Sequence, residues 1–361
     1  MKDLGAIELL RVRLPLLRPF TTSFGTTSVK EAVLVRALGE DGIEGWGECV
    51  ASEDPLYSGE WNDGAWLVLR EYLAPAALAG SGSRIRGHPM ARAALEASLL
   101  DLRLRREGIS LARHLGGIRE RVECGVSLGL EDDLDRLVAE AARFVESGYR
   151  RIKLKIEPGR DTEVVRTVRE AFPEVPLTVD ANAAYTLEDW MVFEELDGFG
   201  LKYVEQPLRE DDLVGHARLQ ERIATPVCLD ETITSLTVAR GAVEIGACRV
   251  INVKVGRVGG LEESRRIHDW AREVSVPLWC GGMLETGIGR AVNVAVASMP
   301  GFTMPGDTSG SERYFERDLT RPFVVDPDGT MEVPTGPGIG VEPLPEVLEE
   351  AVLDRLTIPR R

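Results

Sequence analysis

The sequence predicts a β/α barrel with a smaller α+β unit in front of it, on three observations. From about residue 121, short apolar runs recur at nearly constant intervals, each run is followed by a stretch of helical periodicity, and the runs number eight. They are ECGVSL (123–128), RIKLKI (151–156), PLTVD (176–180), LKYVE (201–205), PVCLD (226–230), RVINVK (249–254), VPLWC (276–280) and a weaker FTMPGD (302–307). An open doubly wound sheet is the main alternative. The count of eight, and charged residues spread over consecutive strand ends, favour the barrel. Solenoid repeats have similar periods, but these units share no repeat consensus.

Before the barrel, segments around 5–13, 31–38 and 44–50 are rich in Val, Leu and Ile and read as strands, with Gly-Glu-Asp-Gly turn chemistry between the last two. Helical spacing runs from about Asp63 to Leu78 and from Met90 to Arg106, where Met90, Ala93, Ala94, Ala97 and Leu100 share one face. RPFTTSFGTT (18–27) reads as a loop that sets Phe20 and Phe24 among small polar residues, as core aromatics or as a lid over an apolar part of a ligand. Within the barrel, Asp161 or Thr162 caps a helix through Val164, Val165 and Val168. Thr186, with Asp189 three residues on, caps LEDWMVFEEL, and Gly259-Gly260 opens LEESRRIHDWAREV. From about residue 320 the chain is rich in Pro and Gly, ends in a short helical pattern, and is expected to return over the first unit. The domain expectation is therefore residues 1–118 as an α+β unit, 119–318 as the barrel, and 319–361 as a tail completing the first.

The 361 residues carry a formal net charge of −16. That charge argues against nucleic acid and against anionic membrane surfaces, both of which need a basic footprint. Five cysteines (Cys49, Cys124, Cys228, Cys248, Cys280) make an odd set with no C-x-x-C, so buried reduced thiols in a cytoplasmic protein are expected. MKDLGAIELLRVRLP carries Asp3, Glu8 and two arginines where a signal peptide would be apolar, and fits a strand. No apolar run approaches the ~20 residues of a membrane span.

Lys155, Asp180, Glu205, Asp230 and Lys254 end five consecutive strands at intervals of 25, 25, 25 and 24 residues. A barrel gathers the C-terminal ends of its strands on one rim, so the five meet around one mouth with the acids flanked by lysines. For any one acid, a solvated rim residue or a helix cap is the commoner explanation. For the ordered set it is not, because a packed barrel has no structural use for five matched charges. Three converging carboxylates need a compensating cation, and oxygen ligands suit Mg²⁺ or Mn²⁺. None of His88, His114, His216 or His268 ends a strand, which weighs against zinc.

Desolvation and a neighbouring cation push a lysine down from its free pKa of about 10.4 and produce a usable base. Lys153 and Lys155, two apart, face one side of their strand; Lys153 is such a neighbour, or else merely satisfies an acid. The same alternation places Asn182 beside Asp180, if the strand continues, and Asn252 beside Lys254. Glu231 follows Asp230, and only one of the two faces the metal. The set suits removal of a proton beside a substrate carboxylate, with an ion and an ammonium stabilising the enolate. VGRVGG (255–260) and GGMLETGIG (281–289) follow strands as phosphate loops do, but tight turns explain them equally well.

K-L-K (153–155), V-D-A-N (179–182), V-E-Q-P (204–207), C-L-D-E (228–231) and N-V-K-V-G-R-V-G-G (252–260) resemble the enolase superfamily, nearest its muconate-lactonizing subgroup. SGYRRIKLKIEPG (147–159), WCGGMLETGIGRA (279–291) and PGDTS (305–309) are similar to the o-succinylbenzoate synthases that also racemise N-acylamino acids. RPFTTSFGT and EGWGECV extend the likeness over nearly the whole chain.

The resemblance implies a modified (β/α)7β barrel with an α+β capping domain, and Mg²⁺ (or Mn²⁺) on Asp180, Glu205 and Asp230. The use of a lysine base with magnesium in this superfamily is general knowledge. It implies Lys155 and Lys254 as the catalytic pair, either for dehydration in menaquinone biosynthesis or for racemisation from two faces. Lys153, Asn182, Asn252 and Arg257 would support them. Arg257 matches an arginine typical of the racemising branch. Phe20, Phe24, Ser52, Ser127, Gly281 and Met283 would meet a small carboxylate substrate. A homo-oligomer is expected. The alternatives are a dedicated N-acylamino acid racemase, a dipeptide epimerase, and a binding protein on a degenerate barrel, which predicts lost rim charges where none is lost.

Overall fold

The structure, a computed structural model, describes residues 3–23 and 25–360; Phe24 lies outside them. Three strands open the chain: β1 (Leu4–Thr22), β2 (Gly25–Gly39) and β3 (Glu44–Cys49). A short β4 (Arg121–Glu123) leads into β5 (Gly125–Leu128), β6 (Arg151–Lys155), β7 (Leu177–Asp180), β8 (Val204–Glu205), β9 (Val227–Leu229), β10 (Val250–Val253) and β11 (Leu278–Cys280). The last two are β12 (Thr330–Glu332), antiparallel to β4, and β13 (Val352–Pro359).

Strands β5 to β11 form a seven-stranded parallel sheet in sequence order, with helices between. Every residue of these strands is buried, as a parallel sheet covered on both faces requires. The eighth run is the exception. Residues 302–307 make single bridges, Phe302 to Leu278 and Gly306 to Cys124, rather than a regular strand. The Asp307 N–H donates to the Cys280 carbonyl at 2.9 Å and the Gly125 N–H to the Gly306 carbonyl at 2.7 Å, so this segment joins the last strand to the first. Pro305 and Gly306 interrupt the ladder there.

The N-terminal unit is an antiparallel sheet in the order β13-β1-β2-β3. The helix Pro89–Glu107 lies on β3 so closely that a Cβ at Gly45 or Gly47 would collide with the backbone at Ser98 or Ala94. Those glycines let the two backbones meet. The chain's return is more intimate than expected, since β13 adds an edge strand to β1, with Ala6 opposite Pro359. The helical pattern stops at Ala351.

Residues 18–22 and 25–27 are corrected from loop to paired strands. Phe20 pairs with Thr27, Thr21 with Thr26 and Thr22 with Gly25, beyond an irregularity after Pro15. Threonines suit a pleated, half-exposed ladder, so the strands outlast the apolar pattern that marks their buried part. The expected caps form: Asp161 accepts from the Thr162 N–H, and Thr186 and Asp189 make a capping box. All five cysteines are buried with free thiols. Among the described residues, no helix is long and apolar enough to cross a membrane.

Candidate active site

Parallel pairing in register carries the five rim charges to one place. Lys155 stands opposite Asp180 across β6 and β7, and Asp180 opposite Glu205 across β7 and β8. Asp230 and Lys254 lie one residue past β9 and β10. All five are buried.

Each acid faces a cation of the chain. The Lys155 Nζ donates to Asp180 Oδ2 at 2.6 Å, Lys153 to Glu205 Oε2 at 2.7 Å, and Lys254 to Asp230 Oδ2 at 2.7 Å. Lys153 also lies 3.4 Å from Asp180, so the two lysines of β6 share one side, as their spacing requires. Arg257 contacts Asp230 Oδ1 and donates to the Asn252 carbonyl at 2.5 Å and the Ile233 carbonyl at 2.8 Å. Among the described residues, no three acid, histidine or cysteine side chains stand as a ready-made metal cage.

The asparagines divide their work differently from expectation. β7 ends at Asp180, and Asn182 reaches the site from a turn at φ +42°, a left-handed conformation asparagine tolerates. Its Oδ1 accepts from Lys155 at 2.5 Å, and its Nδ2 donates to Glu231 Oε1 at 3.0 Å. Asn252 donates to Glu205 at 2.8 Å rather than orienting Lys254.

Burial and charge oppose each other throughout. Burial raises the Asp180 carboxyl, but Lys155 and Lys153 outweigh it and hold the group at about 2. Glu205 is raised by burial and by the charge of Asp180, against Lys153. Glu231 is pushed up to about 7 by burial and again by Asp180. Lys254 and Lys153 are held between burial and the acids around them. Burial does press Lys254 down, but Tyr57, Glu231, Glu205 and Asp180 hold its ammonium above the ordinary value. Lys153 is held well above by Asp307, Glu205 and Asp180, again against burial. The carboxylates around a buried lysine decide its charge more than desolvation does.

A cavity of about 390 Å³ opens over this ring, a size for a small molecule. Its wall includes Phe20, Ser52, Ser127, Met283, Lys153, Lys155, Asp180, Asn182 and Lys254. Gly281 is not on that wall; a Cβ there would strike Asn252 and the Lys254 stem, so its bareness makes room for them. Arg257 lies beneath, behind Asp230.

Three residues escaped the sequence reading. Asp307 accepts from Lys153 at 2.8 Å and Arg151 at 2.7 Å, and both cations draw it well below the carboxylate range against burial. Its signal was the comb of strand ends itself, which continues past Cys280 to the end of the eighth run. Tyr57 comes from the N-terminal unit. Its hydroxyl accepts from Lys254 at 3.2 Å and lies 3.4 Å from Asp230 Oδ1, with the ammonium 4.5 Å from the ring centroid. Lys30, on β2, lines the cavity and donates to the Met283 carbonyl at 3.0 Å. Nothing in one dimension marks Tyr57 or Lys30.

The donor set fits a divalent cation. It offers three carboxylates from adjacent strand ends, and the Glu231 Oε2 and Asn252 Oδ1 beside them are buried without a partner.

Residues 136–347 match the enolase C-terminal domain-like family, and residues 6–116 match the mandelate racemase / muconate lactonizing enzyme N-terminal domain. The chain belongs to the enolase superfamily, in its mandelate racemase / muconate-lactonizing group. A crystal structure of an enolase-superfamily member from Listeria innocua superposes with a TM-score of 0.95 at 37% identity, covering 99% of this chain and 100% of that one. Within the group the chain falls in the o-succinylbenzoate synthase / N-succinylamino acid racemase branch. It is 51% identical to the N-succinylamino acid racemase of an Amycolatopsis species, over 98% of this chain and 99% of that one. It is 49% identical to the o-succinylbenzoate synthase of Geobacillus kaustophilus, over 93% and 92%.

Proposed function

We propose that this chain is a metal-dependent o-succinylbenzoate synthase that also racemises N-succinylamino acids at the same two lysines. The observation that carries the reading is the ring of charge, buried except at a partly exposed Asp307. Asp180, Glu205, Asp230, Glu231 and Asp307 stand against Arg151, Lys153, Lys155, Lys254 and Arg257, five acids to five cations. Asp180, Glu205 and Asp230 would hold a divalent ion, which when bound would supply positive charge to the site; that added charge would favour a lysine without its proton.

In dehydration, Lys155 takes the proton beside the carboxylate of 2-succinyl-6-hydroxy-2,4-cyclohexadiene-1-carboxylate. It returns that proton to the hydroxyl on the same face, the C–O bond breaks, and water leaves as the ring becomes aromatic. Lys254 keeps its proton and faces the enolate as an ammonium. Asn182 holds the Lys155 amine in line through Oδ1, and the cavity wall excludes water. In racemisation, one lysine removes the α-proton and the other delivers one to the opposite face, so both titrate.

A dedicated racemase is the second reading. It is favoured by the even-handed clamping of the two lysines, each on an aspartate, since dehydration needs only one as a base. Steady-state rates with the cyclohexadiene carboxylate and with N-succinylamino acids of each hand separate the two. Comparable kcat/KM on both substrates is expected. Racemisation without dehydration would establish the second reading, and neither rate in the presence of Mg²⁺ or Mn²⁺ would overturn both.

A further inference from the structure

Five cationic side chains line the cavity: Arg13, Lys30, Lys153, Lys155 and Lys254. Four are in ion-pair contact with an acid. Arg13 lies 3.6 Å from Glu31, Lys153 2.7 Å from Glu205, Lys155 2.6 Å from Asp180 and Lys254 2.7 Å from Asp230. Lys30 is different. It is 5% exposed, and its ammonium meets one carbonyl, that of Met283, with no carboxylate in ion-pair contact among the described residues.

An ammonium has three donors. A buried charge with one neutral acceptor is expensive to keep unless something completes its shell. Glu48 of β3 is already engaged. Glu48 feels the Lys30 charge, but its oxygens accept from the Thr286 N–H and hydroxyl at 3.1 and 2.6 Å and from the Gly289 N–H at 2.9 Å. The reacting carboxylate belongs at the floor, among Lys155, Asp180 and Lys254. Lys30 stands on the wall that β2 and the turn at Gly282–Leu284 build, so a ligand reaching both carries two acidic groups.

We infer that Lys30 is the specificity-determining residue that receives the terminal carboxylate of a dicarboxylate acyl group, so that succinyl substrates are chosen over acetyl ones. The assignment rests on the function proposed above, whose reactions both involve a succinyl arm. A charge-assisted hydrogen bond in a buried site is worth about tenfold or more in affinity.

The test is calorimetric titration of the Mg²⁺-supplemented full chain with N-succinyl-L-phenylalanine and N-acetyl-L-phenylalanine, in wild type, Lys30→Met and Lys30→Arg. The wild type is expected to prefer the succinyl ligand by at least about tenfold, Lys30→Met to bring that ratio close to one, and Lys30→Arg to keep most of it. If Lys30 only props up the Met283 carbonyl, both ligands weaken in proportion and the ratio holds; that result overturns the assignment, as does a wild type with no preference. Racemisation, and dehydration of the cyclohexadiene carboxylate, are followed on the same samples. A succinyl preference that depends on Lys30, in a protein that moves no α-proton, would refute the proposed function and leave the assignment of Lys30 standing.

Discussion

Lys155 and Lys254 face each other across one mouth, yet they are held by different parts of the molecule. Lys155 is gripped by Asp180 and Asn182, both on the barrel, with Lys153 at its side and Asp307 behind that. Lys254 is gripped by Asp230 of the barrel and by Tyr57 of the N-terminal unit, over Arg257. The side chains that grip Lys155 therefore all come from the barrel, with Ser23 of the N-terminal unit reaching only the Asn182 carbonyl at 3.4 Å, whereas the grip on Lys254 is finished only when the N-terminal unit is docked. A reaction that needs a single base on the Lys155 side draws on the barrel; one that needs both lysines draws on the junction as well.

The largest expected effect removes the barrel side. Lys155→Ala should lower both dehydration and racemisation by about a thousandfold or more, since the other amine on that side, Lys153, is tied to Glu205 and Asp307. Lys153 remains 3.4 Å from Asp180 and keeps its charge answered, so circular dichroism should show the native fold. A surviving rate in either reaction would take Lys155 out of the mechanism. Lys254→Arg comes next. It preserves a cation against Asp230 but removes a base, because an arginine does not deprotonate. Racemisation should fall by about a hundredfold or more and dehydration by about tenfold or less. Equal losses, measured on the two substrates, would break the division between the sides.

Asp230→Asn sharpens the same boundary. Asp230 is where Lys254, Arg257 and Tyr57 converge, while its neighbour Glu231 has a free buried oxygen. Titration with Mg²⁺ should show affinity weakened by about tenfold or more, on the order of what altering a metal's surroundings does. An unchanged dissociation constant would move the third ligand to Glu231 and leave Asp230 as the lysine's counter-ion.

How much of this the sequence disclosed follows the same line. The barrel side was legible because a parallel barrel turns a one-dimensional interval into a three-dimensional ring; Lys155, Asp180, Glu205, Asp230 and Lys254 are that interval. Asp307 belongs to it but was overlooked, because proline and glycine disguise its run as a weak strand. The junction side was not legible. Tyr57 and Lys30 reach the site from a loop and a strand of another unit, and only docking brings them there. The pairing of residues 20–22 with 25–27 was read as a loop because it is carried by threonines, which leave no apolar alternation.

The junction itself offers the smallest effect and a sign that can be worked out. Glu48 of β3 caps the helix Gly287–Ala297 through Thr286 and Gly289, next to the turn that makes room for Lys254. Burial pushes its carboxyl up from 4.5 to about 7, against the pull of Lys30 and of the Thr286 hydroxyl. Between those values the folded protein binds a proton that the unfolded chain releases. The stability this group contributes is thus full below about pH 4.5 and is lost as pH rises through about 7. Glu48→Gln cannot titrate. It should melt lower than wild type in acid, where the Gly289 N–H loses an acceptor, and its midpoint should fall less between pH 5 and pH 8, by a few degrees in calorimetry. Parallel curves for the two proteins would mean that the Glu48 carboxyl keeps its ordinary pKa in the fold. The acid that locks the N-terminal unit to the barrel would then be a permanent charge, and racemisation, the reaction assigned to the junction, would have no reason to weaken with rising pH on account of this lock.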